Sequence, residues 1–418
     1  MINILFIHQA GLAQFRHLAK SLAAASDFKV FSLAAARSPL KTPSVTHNSE
    51  TNIYEIAYPF LRPNTSNHIL TKEIDSKLIR GDSVYKALSY LISKELISPP
   101  DIIWAHPGWG ETLFLRQLFP DTPQVHFAEY YYSVHGQDVD PDLLSQDEIL
   151  KVNVKNLHNS QSAVDCDSMV SPTRWQAATY PPEFQSKIKV IHDGIDIDSI
   201  SKNISLDLDP SLSELPLDTD RPLIVYTNRA LEPIRGSDVF AEALPSILAL
   251  PENPIVCIVG GQDDQNPYGG VNDKYRQTRS QLQSLIKANP SDVFHFPRLP
   301  HLALHQLWDL SSCNLYLTSP FVLSWSLLEM MCIPSPIVAS STPPVLDYLD
   351  KSSSILVDYP SSESLVSGVS RCLNLSDSKI TSFSRKNLRT IRNKADLTNY
   401  SLKEQLKHIK KLVARNKR

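Results

Sequence analysis

The chain has 418 residues, more than the roughly 250–300 at which one hydrophobic core stops growing, so its length predicts two domains. Hydrophobic residues make up 42% and charged residues 20%, which excludes disorder or a coiled coil for most of the chain. A net charge of −3 argues against nucleic acid as a partner. Five widely spaced cysteines and the lack of a long apolar run predict an unexported, cytoplasmic protein.

The first half alternates short apolar runs with helix-length segments, a pattern typical of a parallel sheet covered on both faces. A strand over Ile2–Ile7 is followed by a helical stripe of Phe15, Leu18, Ala19 and Leu22, which opens a βαβ unit. Further strands are predicted over residues 28–34, 52–56, 101–105, 124–128, 168–171 and 187–191. Residues 1–200 are therefore predicted to form the first domain.

A polar, proline-containing stretch over residues 201–221 predicts a linker, after which the alternation restarts. Residues 222–395 are predicted to form the second domain. Its strands are expected at 223–227, 255–259, 293–296, 315–318, 336–339 and 355–357, and its helices at 238–250, 274–288, 302–310, 327–331, 345–349 and 363–373. The fold class is α/β, with two doubly wound domains and a ligand at the carboxyl ends of the strands, in a shared cleft.

Two arginines stand in the strand-to-helix connection NRALEPIRG. The guanidinium groups of Arg229 and Arg235, with the N-terminus of the helix that follows, can converge on an anion such as a diphosphate. Two solvated loop arginines are the alternative.

A second candidate is the carboxylate of Glu329 in LTSPFVLSWSLLEMM. Burial among apolar neighbours is costly unless the carboxylate accepts hydrogen bonds, for instance from two ribose hydroxyls. A water-facing glutamate is the alternative. The amides of Val322, Leu323 and Ser324 precede the helix, where they could meet a phosphate or a sugar hydroxyl.

In the first half, His106 follows a strand in DIIWAHPGWGE, at the sheet edge where a ligand is expected. There His106 can orient a sugar hydroxyl or stabilise a developing charge. The alternative is a structural histidine that is hydrogen-bonded to the backbone of a tight turn. Gly11 lies in the corresponding loop after the first strand, HQAG, which lacks the G-x-G-x-x-G of a dinucleotide site.

Two further segments carry charged residues that bear on metal and membrane binding. His135, Asp138, Asp140 and Asp142 match neither an EF-hand nor a zinc ligand spacing, so no metal site is predicted. Residues 396–418 are predicted to form a basic helix that can pack back on the first domain. The basic segment from Lys379 to the end predicts either contact with an anionic membrane surface or an ordinary solvated face of a packed helix.

Taken together, these segments resemble the GT-B glycosyltransferases, specifically the bacterial retaining enzymes of family 4. The resemblance extends over nearly the whole chain. It is carried by HPGWGE, SPTRWQ and VIHDGID in the first half and by NRALEPIRG, IVGG and PFVLSWSLLEMM in the second.

The resemblance implies a role for each candidate residue. Arg229 and Arg235 would hold the donor diphosphate, and Glu329 would bind the nucleotide ribose. His106 would contact the donor sugar near the reacting carbon, and Gly11 would lie against the diphosphate.

One position departs from the family pattern. Phe321 stands eight residues before Glu329, where many relatives carry a first glutamate for the transferred sugar. Backbone groups of residues 322–324 would then have to replace that carboxylate.

The resemblance also implies the reaction. A sugar would pass from a nucleoside diphosphate to an acceptor hydroxyl with retention, without a metal or cofactor, in polysaccharide or glycoconjugate synthesis. The acceptor would be a glycan or a lipid-linked molecule, reached in the cytoplasm or at the inner face of the membrane. A nucleotide-sugar epimerase and a non-catalytic nucleotide-sugar-binding relative are the alternatives, and a nicotinamide dehydrogenase is least favoured.

Overall fold

The computed structural model describes residues 1–60, 68–137, 145–262, 267–268 and 270–416. They fold into two compact units: a first unit of Met1–Gly194 with Leu397–Arg418, and a second unit of Ile195–Asp396. Each unit is built around one mainly parallel sheet. Among the described helices, none is long and apolar enough to cross a membrane.

The first unit follows the predicted alternation. Its strands are β1 (Ile2–Ile7), β2 (Phe28–Ala35), β3 (Ser44–Asn48), β4 (Ile53–Tyr58), β5 (Ile102–Ala105), β6 (Gln124–Phe127), β7 (Ser168–Ser171) and β8 (Ile188–Val190). Its helices before residue 195 are α1 (Arg16–Ala23), α2 (Ile69–Ser93), α3 (Leu115–Leu118), α4 (Gln146–Lys155), α5 (Leu157–Asp165) and α6 (Arg174–Ala178).

The first sheet has the order β3-β4-β2-β1-β5-β6-β7-β8 and is parallel except for β3, which runs antiparallel to β4. Apolar side chains of the central strands are buried on both faces, as the continuous apolar runs predicted. Leu18, Ala19 and Leu22 of α1 are buried, so the predicted stripe is confirmed. The sequence did not predict β3, because its polar residues SVTHN form an exposed edge without apolar alternation.

The second unit contains six parallel strands: β9 (Leu223–Thr227), β10 (Ile255–Val259), β11 (Val293–Phe296), β12 (Cys313–Tyr316), β13 (Ile337–Ser340) and β14 (Ile355–Val357). Its helices are α7 (Ile197–Ile204), α8 (Ser237–Leu248), α9 (Asp273–Ala288), α10 (His301–Leu310), α11 (Trp325–Met330), α12 (Pro343–Leu346), α13 (Ser362–Leu373) and α14 (Asp377–Lys394). The sheet order is β11-β10-β9-β12-β13-β14, the order of a Rossmann fold.

Residues 201–221 belong to the second unit rather than to a free linker. Leu212 and Leu215 are buried in its core. The side-chain amide of Gln306 on α10 donates to the carbonyl oxygens of Asn203, Leu206 and Asp207 at 3.2, 3.2 and 3.0 Å. The unit therefore begins at Ile195, and the two leucines among polar residues are the signal that the reading as a linker overlooked.

The chain returns to the first unit at its C-terminal end. After one π-helical turn (Leu397–Ser401), α15 (Leu402–Asn416) buries Ile409, Leu412 and Val413 in the core beside α1. Its His408 is bonded to Ser168 of β7, with Nε2 and Oγ 3.0 Å apart. The predicted helix at residues 396–418 is therefore an integral part of the first unit.

Candidate active site

The sheet orders identify one ligand-binding edge in each unit. In a doubly wound sheet, ligands bind at the carboxyl ends of the two strands where the strand order reverses, here called the switch point. In the first unit these strands are β1 and β5, which are followed by His8 and His106. In the second unit they are β9 and β12, which lead into the loops that contain Arg229 and Thr318.

His106 is buried at the end of β5, and hydrogen bonds hold both of its ring nitrogens. Nδ1 accepts from the amide of Gly108 at 3.0 Å, so Nε2 carries the proton in the neutral ring. Nε2 lies 3.2 Å from the carboxylate of Glu129, to which it donates. The ring orientation is thus determined by one loop amide and one carboxylate.

Glu129 is a site residue that sequence reasoning missed. It follows β6, the strand next to β5, and accepts a second hydrogen bond from Gln14 at 3.0 Å. Burial alone would raise its pKa, but the electrostatic attraction of His106 and the hydrogen bonds from His106 and Gln14 hold the pKa of Glu129 below its usual value. A carboxylate just beyond a strand, at the same sheet edge as His106, was the signal available in the sequence.

His8 completes this group, which we call the histidine cluster: His8, His106, Trp109 and Glu129. The His8 ring packs edge-on against those of His106 and Trp109, with centroids 5.3 and 4.7 Å apart. Burial, and then the charge of His106, lowers its pKa to about 3, so His8 is neutral near pH 7. The cluster is a polar, aromatic surface at the switch point of the first unit.

Gly11 lies in the loop after β1, in the left-handed region with φ of +91°. A Cβ atom added there would have no heavy atom within 4 Å. The loop therefore leaves open space at the same edge as His8, which is compatible with the predicted approach of a ligand.

In the second unit, Arg235 lies in the loop between β9 and α8. Its Nη1 is 3.4 Å from the hydroxyl of Tyr316 and 3.2 Å from that of Thr318, both at the end of β12. The next residue, Gly236, has φ of +73° and precedes the N-terminus of the twelve-residue helix α8. Arg229 is exposed in the same loop. The structure thus places both predicted arginines in the loop at the β9–β12 switch point, next to the N-terminus of α8.

Phe321 is buried beside Arg235. The guanidinium carbon of Arg235 is 5.3 Å from the centre of the Phe321 ring, and the Tyr268 ring is 4.3 Å from it. The position at which the resemblance implies a carboxylate is therefore an aromatic platform, and the cation–π contact helps to position Arg235.

The three residues after Phe321 are engaged in different ways. The amide of Ser324 donates to the Tyr316 hydroxyl at 3.0 Å, and its side chain caps α11 by accepting from Ser326. Leu323 is buried in the core, whereas Val322 is half-buried. Of the predicted backbone donors, the Ser324 amide already has an internal partner.

Glu329 is half-buried on α11 and lies next to two histidines of α10. One ligand atom from each of His301, His305 and Glu329 lies within 4.8 Å of the other two, close enough for one metal ion to contact all three. Burial, and then the charge of His301, lowers the pKa of His305 to about 4, so its ring is neutral near pH 7. Glu329, which the sequence predicts to bind a ribose, therefore lies beside two histidines, and the sequence alone did not reveal this contact.

Among the described residues, the other candidate metal ligands of the sequence form no group that could hold a metal ion. His135 is exposed, and Asp138, Asp140 and Asp142 lie outside the described residues. The five cysteines are all unpaired, and four of them are buried.

Comparison with known structures shows that the fold is GT-B, the two-domain fold of many glycosyltransferases. An α,α-trehalose-phosphate synthase (UDP-forming) from Burkholderia vietnamiensis superimposes with a TM-score of 0.76 at 13% identity, covering 100% of this chain and 99% of that one. Sucrose-phosphate synthase from Thermosynechococcus elongatus gives 0.73 at 14% identity, covering 99% and 100%. An E. coli structure described as trehalose-6-phosphate bound with UDP-2-fluoro glucose gives 0.72 at 15% identity, covering 98% and 99%.

The sequence comparison is narrower. Residues 41–200 match the family model described as Glycosyl transferase family 4 group. No curated protein sequence matches the chain at a significant level.

Proposed function

We propose that the protein is a glycosyltransferase that moves a sugar from a nucleoside-diphosphate sugar to an acceptor hydroxyl, with retention and without a metal. One observation carries this proposal. Arg235 and the N-terminus of α8 lie next to each other at the switch point of the second unit of a GT-B fold. The family match of residues 41–200 supports the same class.

The second unit would bind the donor. Arg229, Arg235 and the amides at the start of α8 would hold the diphosphate, and Glu329 would accept from the ribose hydroxyls. The tyrosine and threonine hydroxyls at 3.4 and 3.2 Å from Arg235 would keep its guanidinium in place before the ligand arrives. Such preorganised charge stabilises the departing diphosphate as negative charge develops on it.

The first unit would handle the acceptor and the reacting sugar. The bond between the sugar's anomeric carbon and the diphosphate breaks, and its electron pair goes to the phosphate. The acceptor oxygen then bonds to the same face of the anomeric carbon, and its proton passes to the leaving phosphate. His106 would orient these groups, and Glu129 would act as a positioning residue by holding the Nε2 proton of His106.

An epimerase of the same fold is the second candidate. It would use the same diphosphate site but would need carboxylates around the sugar, and Phe321 lies where many relatives have one. A non-catalytic relative would bind nucleotide without turnover.

The test is a melting-temperature shift against UDP, GDP, ADP and their common sugar conjugates. A ligand that binds only the folded protein at a hundredfold excess over Kd stabilises it by about 2.7 kcal/mol. We expect one nucleotide to shift the melting temperature and Arg229→Ala/Arg235→Ala to abolish the shift. Arg371→Ala/Arg389→Ala, which removes two exposed arginines of the same unit, serves as the control.

Each outcome separates the candidates. A shift lost only in the first double variant, with sugar transfer detected by mass spectrometry, supports the transferase. Interconversion of the free nucleotide sugar without transfer indicates the epimerase, and binding without turnover indicates the non-catalytic relative. If no nucleotide shifts the melting temperature, the proposed donor site is wrong.

We also propose that the protein works in the cytoplasm against the inner face of the membrane. The exposed side of α15 carries Lys403, Lys407, Lys410, Lys411 and Arg415. Like charges in this density bind anionic lipid surfaces, and unpaired cysteines suit a reducing compartment. Sedimentation with anionic and with neutral vesicles tests the contact, and charge reversal at Lys403 and Lys407 should release the protein from the anionic ones.

A further inference from the structure

A cavity of about 420 Å³ lies in the first unit and is lined only by residues of that unit. Four cationic side chains line it: Lys72, Lys77 and Arg80 of α2, and Lys151 of α4. Glu73 is the carboxylate among its described lining residues. The lining therefore carries a net positive charge, and a cavity lined mainly by one sign of charge concentrates ligands of the opposite sign.

Lys77 is a deeply placed cation. Its side chain is only 12% exposed, and its Nζ donates to the carbonyl oxygen of Gly108 at 3.1 Å. Glu73 lies 3.3 Å away, and the neutral ring of His158 lies 3.4 Å away. Burial lowers the pKa of Lys77, although Glu73 opposes this effect. A bound anion would stabilise the charged form of the Lys77 ammonium group, which burial destabilises.

Arg80 is held one helical turn further along α2. Its guanidinium lies over the ring of Phe60, 3.9 Å from the ring centre, and its Nη1 is 3.7 Å from the buried carboxylate of Glu111. These contacts orient the planar group before any ligand binds. A guanidinium group held in this way can donate two parallel hydrogen bonds to the oxygens of a phosphate, which a flexible lysine cannot do.

The cavity adjoins the histidine cluster through Trp109. This indole lines the cavity and also packs against the rings of His106 and His8, each with a centroid separation of 4.7 Å. A half-buried aromatic face is a common packing surface for the apolar face of a ligand. A ligand anchored by the cations could thus extend across Trp109 towards His106.

We propose that this cavity binds the phosphate group of the acceptor, and that the acceptor is therefore a phosphate-bearing sugar or lipid-linked sugar. The inference rests on the proposed function only in calling this ligand an acceptor. The cavity size falls in the range of small-molecule sites, roughly 300–1,000 Å³. The cavity offers two largely buried cations, Lys77 and Arg80, and two further cations, Lys72 and Lys151, which suits the double charge of a phosphate monoester.

The experiment measures binding of defined probes by calorimetry. Glucose 6-phosphate, inorganic phosphate and glucose are titrated into the full chain, and vesicles of phosphatidylcholine with and without phosphatidic acid are tested by sedimentation. The variants are Lys77→Met, Arg80→Gln and the double variant Lys72→Ala/Lys151→Ala. Lys86→Ala, an exposed position on the same helix, is the control.

We expect glucose 6-phosphate to bind at least tenfold more tightly than glucose, and each cavity variant to weaken it about tenfold while Lys86→Ala leaves it unchanged. If only phosphatidic acid vesicles bind, with the same dependence on the variants, the phosphate belongs to a lipid. Equal affinity for glucose and its phosphate, or no effect of the variants in either arm, overturns the proposal. The double variant at Lys72 and Lys151 keeps the test valid if a buried substitution fails to fold.

UDP is titrated in parallel to distinguish the two proposals. Nucleotide binding that survives in all cavity variants, together with absent phosphate binding, would remove this inference and leave the transferase standing. Phosphate binding without any nucleotide binding would support the cavity as an anion site while overturning the proposed donor site.

Discussion

The two units share a strand order but differ in the chemistry at their switch points. In both sheets the first strand lies between the second and the fourth of the parallel series. The first unit places two histidines and a carboxylate there, joined through the His106–Glu129 bond of 3.2 Å. The second unit places Arg235 there, bonded to neutral hydroxyls. The same topology therefore presents a histidine–carboxylate pair in one unit and an arginine beside a helix N-terminus in the other, and the proposed division of roles rests on this difference.

The units also differ in how they bury titratable groups. In the first unit, burial lowers the pKa of His8, His126, His158 and His192 to about 3 and that of His408 to about 4. In the second unit, burial lowers the pKa of His305 to about 4. Buried neutral histidines make a unit sensitive to acid, so the two units should respond differently to falling pH.

The largest expected effect is selective unfolding of the first unit in mild acid. A histidine whose pKa is lowered on folding binds its proton more readily when unfolded. The stability that these histidines contribute is therefore fully present above about pH 6.5 and is lost as the pH falls below that value. In that range each such histidine lowers the free energy of unfolding by about 1.4 kcal/mol per pH unit, and the loss from all five rivals the whole stability of a domain. Hydrogen exchange at pH 7, 6 and 5 should show the first unit opening before the second.

A matched pair of variants sharpens this prediction. His408→Gln removes one buried histidine from α15 and should reduce the acid loss by about 1.4 kcal/mol per pH unit. His47→Gln changes an exposed histidine of the same unit and should leave the pH profile as it is. Earlier opening of the second unit, or equal profiles for the two variants, would contradict the account.

A somewhat smaller effect tests where the second unit begins. Leu212 is fully buried and packs in the core of that unit. Leu212→Ala should therefore lower the free energy of unfolding of the second unit by about 3 kcal/mol. Leu208→Ala, four residues earlier at 45% exposure, should change it by less than about 0.5 kcal/mol. Urea unfolding measures both, and equal small changes would restore the interpretation of residues 201–221 as a linker.

The smallest effect tests the division of labour between the units. Glu129→Gln keeps the shape of the side chain but removes the charge that faces His106. We expect turnover to fall about thirtyfold, equivalent to about 2 kcal/mol, with nucleotide affinity unchanged. Steady-state kinetics and calorimetry measure the two quantities. Glu183→Gln, at an exposed position of the same unit, is the control. A loss of nucleotide affinity in Glu129→Gln would mean that the roles are not divided in this way.

Local patterns in the sequence predicted much of the sheet framework. Strands β1, β5, β7, β9, β10 and β11 lie within a residue or so of the predicted ranges, because buried parallel strands are continuous apolar runs between helical segments. The positions of His106 and Arg235 followed from the same pattern, since His106 comes directly after β5 and Arg235 lies in the connection between β9 and α8. Their roles in the reaction stay predictions.

Other features escaped the pattern because they depend on partners far away in the chain. Glu129 stands out only once β6 lies beside β5, and Lys77 and Arg80 form a cavity only when α2 meets α4 and Trp109. The edge strand β3 has no apolar alternation to reveal it, and Leu212 looks like one apolar residue in a polar stretch.

The sequence by itself therefore determined the α/β class, the two doubly wound sheets and the strand ends at which Arg235 and His106 lie. Periodicity and turn residues act over a few positions, and these features are local. Only the tertiary structure decided that α15 completes the first unit, that residues 201–221 complete the second, and that cations of α2 and α4 surround one cavity. Those outcomes rest on packing between segments distant in sequence, which no local pattern encodes.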